Sequence, residues 1–268
     1  MVDVANADAI AVLTRAPSAG GKSRLFAALG RPPDPGLLAA LLLDTIDGVR
    51  LPGVRVMVAV TPAEARQEIE RLLRDARGTF RLPAFARRAT ARSRPGRSAP
   101  ADRPASTGLS GRAATRPGGG GKTDGTSIEV IAQPAGDLGE RMRGTMAQLF
   151  DAGARAVAVI GSDLPSIRTA PLRAAFDRLA CERDALVLGP ATDGGYYLIA
   201  ATRVPPVFDG IAWGSGQVLE QTRAAAARAR MRVHLVDTMA DVDTVDDLRR
   251  VESSTRTAEW ARRRLYNL

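Results

Sequence analysis

Short apolar runs alternate along this chain with longer stretches in which apolar positions recur three or four residues apart. Residues 156–160 lack the polar alternation of a half-exposed strand and predict a strand buried on both faces, 54–60 predict a second buried strand, and 9–13, 185–188, 196–201 and 233–236 predict further strands. Residues 127–132 predict one more. Between these runs, Leu37, Leu38, Leu41, Leu42, Thr45, Ile46 and Val49 follow Gly36 at helical spacing and predict an amphipathic helix. Further helices are predicted from near Lys22, over 63–74 after Thr61-Pro62, ending near Asp151, and over 171–180, 215–230 and 244–251. Strand, helix, strand, helix predicts an α/β fold. Its form is a mostly parallel Rossmann-like sheet, with right-handed crossovers and helices on both faces.

The pattern lapses between 83 and 126, where Arg, Ala, Ser, Pro and Gly dominate and large apolar side chains are almost absent. Such a composition buries too little surface to offset chain entropy, which predicts a disordered insertion within one domain spanning 1–268. The net charge of +9 is concentrated there: residues 86–126 hold nine Lys or Arg against two Asp, and the rest of the chain carries only +2. The basicity is therefore no argument for a nucleic-acid-binding fold. Any such partner is expected at the insertion alone, with a solvated linker as the simpler reading.

Hydrophobic residues make up 45% of the chain and aromatics 4%, so aliphatic side chains must fill the core. The single Cys181 excludes an internal disulfide framework and is expected to pack in a helix; the single His234 is expected in a strand, which argues against His-based triads and zinc sites. The N-terminus opens with acidic Asp3 and Asp8 instead of a basic leader, and no apolar run is long enough to cross a membrane. A cytoplasmic protein with no membrane partner is expected.

Five segments could carry chemistry. Ala16-Pro17-Ser18-Ala19-Gly20-Gly21-Lys22-Ser23 joins a strand to a helix, and its glycines would let backbone N–H groups approach phosphate while Lys22 and Arg24 add positive charge. The string also fits a relaxed phosphate-loop pattern of nucleoside triphosphatases, and a purely structural turn is the alternative. A second run, Gly118-Gly119-Gly120-Gly121-Lys122-Thr123, has a similar ending but no preceding strand, and is discarded. Gly161-Ser162-Asp163-Leu164-Pro165 leaves one carboxylate at the carboxyl end of a buried strand, where open α/β sheets bind ligands and where it would suit a hard divalent cation. Otherwise, Asp163 would cap the following helix. In Gly136-Asp137-Leu138-Gly139-Glu140-Arg141, Asp137 and Glu140 have the spacing of a helix capping box, and Gly139 and Arg141 would line a nucleotide pocket.

The remaining candidates lie at the same sheet edge or close to it. Thr192-Asp193-Gly194-Gly195-Tyr196-Tyr197 reads as a turn between strands, with Asp193 over the site and only one of the two tyrosines facing it. Asp241, Asp243, Asp246 and Asp247 precede or begin a helix; its dipole accounts for the last two, and Asp243 could join Asp163 on one metal.

In this order, RAPSAGGKSRL (15–25), QPAGDLGERM (133–142), VIGSDLPS (159–166), LGPATDGGYYLIA (188–200), FDGIAWGSGQVLEQT (208–222) and DVDTVDDL (241–248) resemble the rSAM/selenodomain-associated transferase family. That family belongs to the nucleotide-diphospho-sugar transferase superfamily with the GT-A fold, and the molybdenum-cofactor and phospholactate guanylyltransferases look similar. The resemblance implies a nucleotide over the first loop and a divalent metal bridging its phosphates to Asp163, with Asp243 completing the site. The sequence departs from the superfamily's double-aspartate pattern in having Gly at 161.

The reading that follows is a Mg²⁺- or Mn²⁺-dependent glycosyltransferase-like enzyme with a nucleotide-diphospho-sugar donor and a small-molecule acceptor. Arg15, Gly20, Gly21, Lys22, Arg24, Gly139 and Arg141 would bind the nucleotide and its phosphates. Asp163 and Asp243 would hold the metal, Asp193 would act as base, and Gly194, Gly195 and Tyr196 would face the acceptor. A nucleotidyltransferase that takes a nucleoside triphosphate and releases pyrophosphate is the near alternative. A phosphate-loop triphosphatase and a degenerate core carrying a basic binding tail are the distant ones.

Overall fold

The computed structural model describes residues 6–79 and 128–265. The expected insertion at 83–126 and the discarded Gly-rich run at 118–123 lie outside the described residues. In chain order the elements begin with β1 (Asp8–Arg15), α1 (Ser23–Ala28), α2 (Pro35–Gly48), β2 (Val54–Thr61) and α3 (Arg66–Thr79). After the gap come β3 (Glu129–Ala132), α4 (Leu138–Asp151), β4 (Ala156–Gly161), α5 (Thr169–Cys181), β5 (Ala185–Pro190) and β6 (Tyr196–Ala201). The chain continues with α6 (Val218–Arg228), β7 (Arg232–Leu235), α7 (Val245–Arg250) and α8 (Arg256–Leu265).

The strands form one seven-stranded sheet in the order β3-β2-β1-β4-β6-β5-β7, in which only β6 runs against its neighbours. From β1 the chain winds outward through β2 to β3, then returns to place β4 on the other side of β1. The order therefore reverses between β1 and β4. Crossovers on either side of such a reversal leave a crevice at the carboxyl ends of the two strands.

The apolar runs are continuous because both sheet faces are covered. In β1, Ile10 and Val12 pack with Leu42 and Ile46 of α2 and Ile69 and Leu73 of α3, whereas Ala9 and Ala11 pack with Met142, Met146 and Leu149 of α4. A third cluster joins Leu25 and Phe26 of α1, Leu37 and Leu41 of α2, Val242, Leu248 of α7 and Ala261 of α8.

Local signals set most helix boundaries. Asp34 accepts from the Gly36 N–H (2.7 Å) with Pro35 at the first helical position, which starts α2. The predicted capping box is present at α4: Asp137 accepts from the Glu140 N–H and Glu140 from the Asp137 N–H, each at 2.8 Å. The helix expected over 215–230 is shorter: Gln217 (φ −114°, ψ 3°) caps its start outside the helical region, and Arg230 (φ 57°) takes a left-handed conformation beyond its end. The helix expected over 63–74 begins as a 3₁₀ turn, Ala63–Ala65, and continues as α3.

Two expectations are corrected. Cys181 is exposed at the end of α5 instead of packed. α8 was not anticipated, although Ala258, Ala261 and Leu265 stand at helical spacing in its sequence RTAEWARRRL and Ala258 and Ala261 are buried. Besides its apolar contacts, it is held by a polar lock on α2. Asp44, 7% exposed, accepts from the N–H of Thr257 (2.8 Å), its hydroxyl (2.7 Å), the Arg256 N–H (3.1 Å) and the Arg256 guanidinium (3.0 Å). His234 lies in β7 as expected, with Nε2 2.8 Å from the Glu182 carboxylate.

Candidate functional site

The loop after β1 leads into the crevice. Arg15 ends the strand, Pro17–Ala19 form a 3₁₀ turn, and Gly20 (φ 71°), Gly21 (φ 151°) and Lys22 (φ 50°) follow with three successive positive φ angles. Glycine takes such angles freely; for lysine the left-handed conformation costs about 1 kcal/mol. The Ser18 N–H donates to Glu68 of α3 at 2.9 Å, which ties one side of the loop down. On the other side, the Lys22 ammonium is bound by the carboxylates of Asp163 and Asp243 and lies 3.8 Å from Asp241 Oδ2.

Asp163 follows β4 and does not cap the next helix, since α5 starts six residues later with Arg168 at its N-cap. Two bonds place it. The Leu164 N–H donates to Thr45 Oγ1 (3.0 Å) on α2, and the Asp163 carbonyl accepts from the Val242 N–H (3.1 Å). The second bond draws the segment before α7 into the crevice, with Asp241 and Asp243 on either side of buried Val242. Asp246 and Asp247 stay with the helix, where Thr244 and Asp247 form a capping box.

The outcome is a triad in which one carboxylate oxygen from each of Asp163, Asp241 and Asp243 lies within 4.8 Å of the others. At that spacing each carboxylate pair repels by roughly 1–3 kcal/mol near a surface, so the cluster needs a counter-cation. The ammonium supplies one positive charge against three negative ones. The all-oxygen donor set and the uncompensated charge suit a hard divalent ion. Asp241 was not anticipated as a member: its sequence signal, an acid before a helix, is shared by its neighbours, and only the strand-end bond to Val242 singles it out.

The charges in the cluster perturb one another. Burial pulls the Lys22 pKa down, but the nearby Asp163 and then Asp243 outweigh it and hold it above the ordinary lysine value. Burial, then the charge of Asp163, pushes the Asp241 carboxyl up to about 6, with Lys22 opposing. A carboxyl raised above its unfolded value contributes stability that is present below the unfolded pKa and is lost as pH rises through the folded one. Asp241 therefore destabilises the metal-free protein progressively between about pH 4 and pH 6. Asp241→Asn is expected to raise stability in EDTA at pH 7 by about 2 kcal/mol, with the gain shrinking towards pH 4. Thermal unfolding at the two pH values checks this, and an equal gain at both would refute it.

Two depressions meet at the triad. One is lined by Arg15, Gln133, Arg141, Tyr196, Tyr197 and Asp163. The other is lined by Arg24, Thr192, Asp193, Asp241, Asp243 and Thr244. The structure thus brings Arg15 together with Arg141, and Asp193 together with Asp243, while Lys22 lies between the two groups. It sorts two residues differently from the expectation. Arg24 borders the depression of Asp193, not that of Arg15; Tyr196, at the start of β6 next to β4, borders that of Arg15 and Arg141.

Three further placements qualify individual residues. Gly139 is covered by Trp213, whose ring a Cβ there would approach to 2.6 Å, and is absent from the lining of both depressions; its smallness serves packing. Both tyrosines border the first depression, not one alone; the Tyr197 hydroxyl donates to the Asp237 carbonyl (2.9 Å) and burial pushes its phenol up to about 12. Gly194 (φ 88°) faces the Gly216 carbonyl and accepts from the Leu219 N–H (3.0 Å), so the turn is braced by the start of α6. Within that turn Asp193 accepts from the Gly195 N–H (2.8 Å) and remains exposed.

No helix among the described residues is long and apolar enough to cross a membrane. Residues 105–215 match the profile of a family described as an uncharacterized protein conserved in bacteria (DUF2064). No curated protein matches the chain. Among solved structures, the chain is similar to Rv0371c from Mycobacterium tuberculosis H37Rv (18% identity, 93% of this chain and 99% of that one, TM-score 0.43). A CMP:2-keto-3-deoxy-manno-octonic acid synthetase solved with CTP is also similar (12% identity, 96% of this chain and 100% of that one, TM-score 0.49). A stronger likeness is to a protein from Desulfovibrio desulfuricans G20 described provisionally as a nucleotide-diphospho-sugar transferase. It has 22% identity over 96% of this chain and 95% of that one, with a TM-score of 0.64. The chain therefore shares the fold of that protein, in keeping with the α/β architecture anticipated from its apolar runs.

Proposed function

We propose that the protein is a divalent-metal-dependent transferase that takes a nucleotide-diphospho-sugar as donor and passes the sugar to a small acceptor. The observation that carries this reading is the position of the acidic triad, at the junction of two depressions over the reversal point of the sheet. A group transfer needs two substrates meeting at one charged centre, and this arrangement supplies it. Asp163, Asp241 and Asp243 would hold Mg²⁺ or Mn²⁺, which when bound supplies positive charge against the leaving diphosphate.

The chain's own groups have separable tasks. Arg15 and Arg141 face the donor phosphates from the first depression, with the Gly20-Gly21-Lys22 loop beside them. Tyr196 offers a ring wall on the same side. In the second depression Asp193 is the carboxylate placed to take the acceptor's proton, with the Gly194-Gly195 turn fixing its backbone.

Nucleotidyl transfer from a nucleoside triphosphate, with release of pyrophosphate, is the second reading. It is favoured by the cations on both sides of the triad, Arg15 and Arg141 on one and Arg24 on the other, which suit a longer polyphosphate lying across it. Thermal stabilisation by a panel of nucleotide-sugars and triphosphates, with and without Mn²⁺, separates the two. A ligand at about a hundred times its Kd stabilises the fold by about 2.7 kcal/mol, a shift of several degrees. A Mn²⁺-dependent shift that is larger with a nucleotide-sugar than with its triphosphate is expected. The reverse order selects nucleotidyl transfer, and no shift with any ligand refutes both.

A further inference from the structure

Lysine is rare in this protein. Of 38 basic residues only Lys22 and Lys122 are lysines, and every other is arginine. One of the two stands at the centre of the acidic triad. Its side chain is only 12% exposed, its ammonium is bound to Asp163 and Asp243, and Asp241 Oδ2 lies 3.8 Å away. An ammonium is a compact point charge on a flexible stem, whereas a guanidinium is a planar fork that cannot sit among three converging oxygens as an ion does. The residue chosen here is the one whose positive charge is compact, although it carries half the charge of a divalent ion.

We propose that Lys22 is an intramolecular competitor for the metal position, bound to the triad when no metal is present and displaced when a divalent cation enters. This rests on the assignment of the triad as the metal site. The ammonium and the ion would use the same three carboxylates, and their like charges exclude joint occupancy of so small a space. The backbone beneath the lysine permits the exchange: Gly20 and Gly21 precede it with positive φ, and Lys22 itself holds a left-handed conformation compensated by its two ion pairs. Breaking those pairs releases the conformational cost as well as the side chain. The freed ammonium then lacks a counter-charge until an anionic group arrives, so metal and phosphate are bound with positive coupling.

The rarity of lysine makes the test direct. Amine acetylation of the whole protein, followed by peptide mass spectrometry, reads Lys22 against Lys122 as an internal reference. In EDTA, Lys22 is expected to be protected; saturating Mn²⁺ should raise its labelling at least about tenfold. In parallel, calorimetric titration of Mn²⁺ into Lys22→Met should show affinity at least about tenfold tighter than wild type, since the competitor is gone. Lys22→Gln repeats the measurement should Lys22→Met not fold. If Mn²⁺ binds wild type but Lys22 stays protected and the variant affinity is unchanged, Lys22 is a fixed counter-ion and the inference falls while the metal site stands. If neither protein binds Mn²⁺, the metal site itself is refuted and the inference with it.

Discussion

Asp163→Ala is expected to weaken Mn²⁺-dependent nucleotide binding at least about 100-fold, measured by calorimetry. Asp163 is the triad member that follows a strand, two residues beyond the end of β4, and it is shared between the triad and the Arg15 depression. Its backbone carbonyl, not its side chain, accepts from Val242, so the substitution leaves Asp241 and Asp243 in place. Loss of the carboxylate removes one partner of Lys22 but also one of three mutually repelling charges. The melting temperature should accordingly move by only a few degrees, separating loss of the site from loss of the fold. Unchanged nucleotide affinity in the presence of Mn²⁺ would remove Asp163 from the site.

Asp44→Ala is expected to act on the opposite side of the balance, destabilising the protein by about 3 kcal/mol. The carboxylate is buried and satisfies two backbone N–H groups, a hydroxyl and a guanidinium at the start of α8. Without it the Thr257 amide and hydroxyl are left buried with no acceptor, although Arg256 keeps Asp47 at 2.8 Å. For a chain of this size the loss corresponds to a melting temperature roughly 6–12 °C lower. Asp44→Asn, which keeps one acceptor oxygen, should fall between the two. A melting temperature unchanged in Asp44→Ala would show that apolar contacts alone dock α8.

The parts of the fold legible in the sequence are those with a local cause. Buried strands announce themselves as uninterrupted apolar runs, and the 196–201 run matches β6 residue for residue. Asp137 with Glu140 marked a helix start because a capping box is closed within four residues. Whatever depends on contacts distant in sequence was less accessible. Asp241 joins the triad through a bond between residues 163 and 242, and Lys22 meets Asp243 across 221 positions, so neither partnership leaves a local trace. Gly139 looked like a pocket residue because nothing nearby in sequence reveals Trp213 above it. Gly161 looked like a missing ligand. In the structure a Cβ there would lie 2.9 Å from Asp163 Oδ1, and Asp241 supplies a third carboxylate from elsewhere.

The apolar cluster that joins α1 and α2 to Val242, α7 and α8 has a bearing on biosynthesis. A chain emerging from the ribosome exposes β1, its loop and Lys22 well before Asp163, which lies 141 positions further on. Asp241 and Asp243 come later still, and the surface that seats them beside Lys22 is completed by Leu248 and Ala261. Until those residues are free of the exit tunnel, Leu25, Phe26, Leu37 and Leu41 have no C-terminal partners to cover them. The carboxylates of Asp241 and Asp243 therefore reach Lys22 only once the segment through Ala261 has emerged and docked, and the apolar surface of α1 and α2 stays uncovered until then.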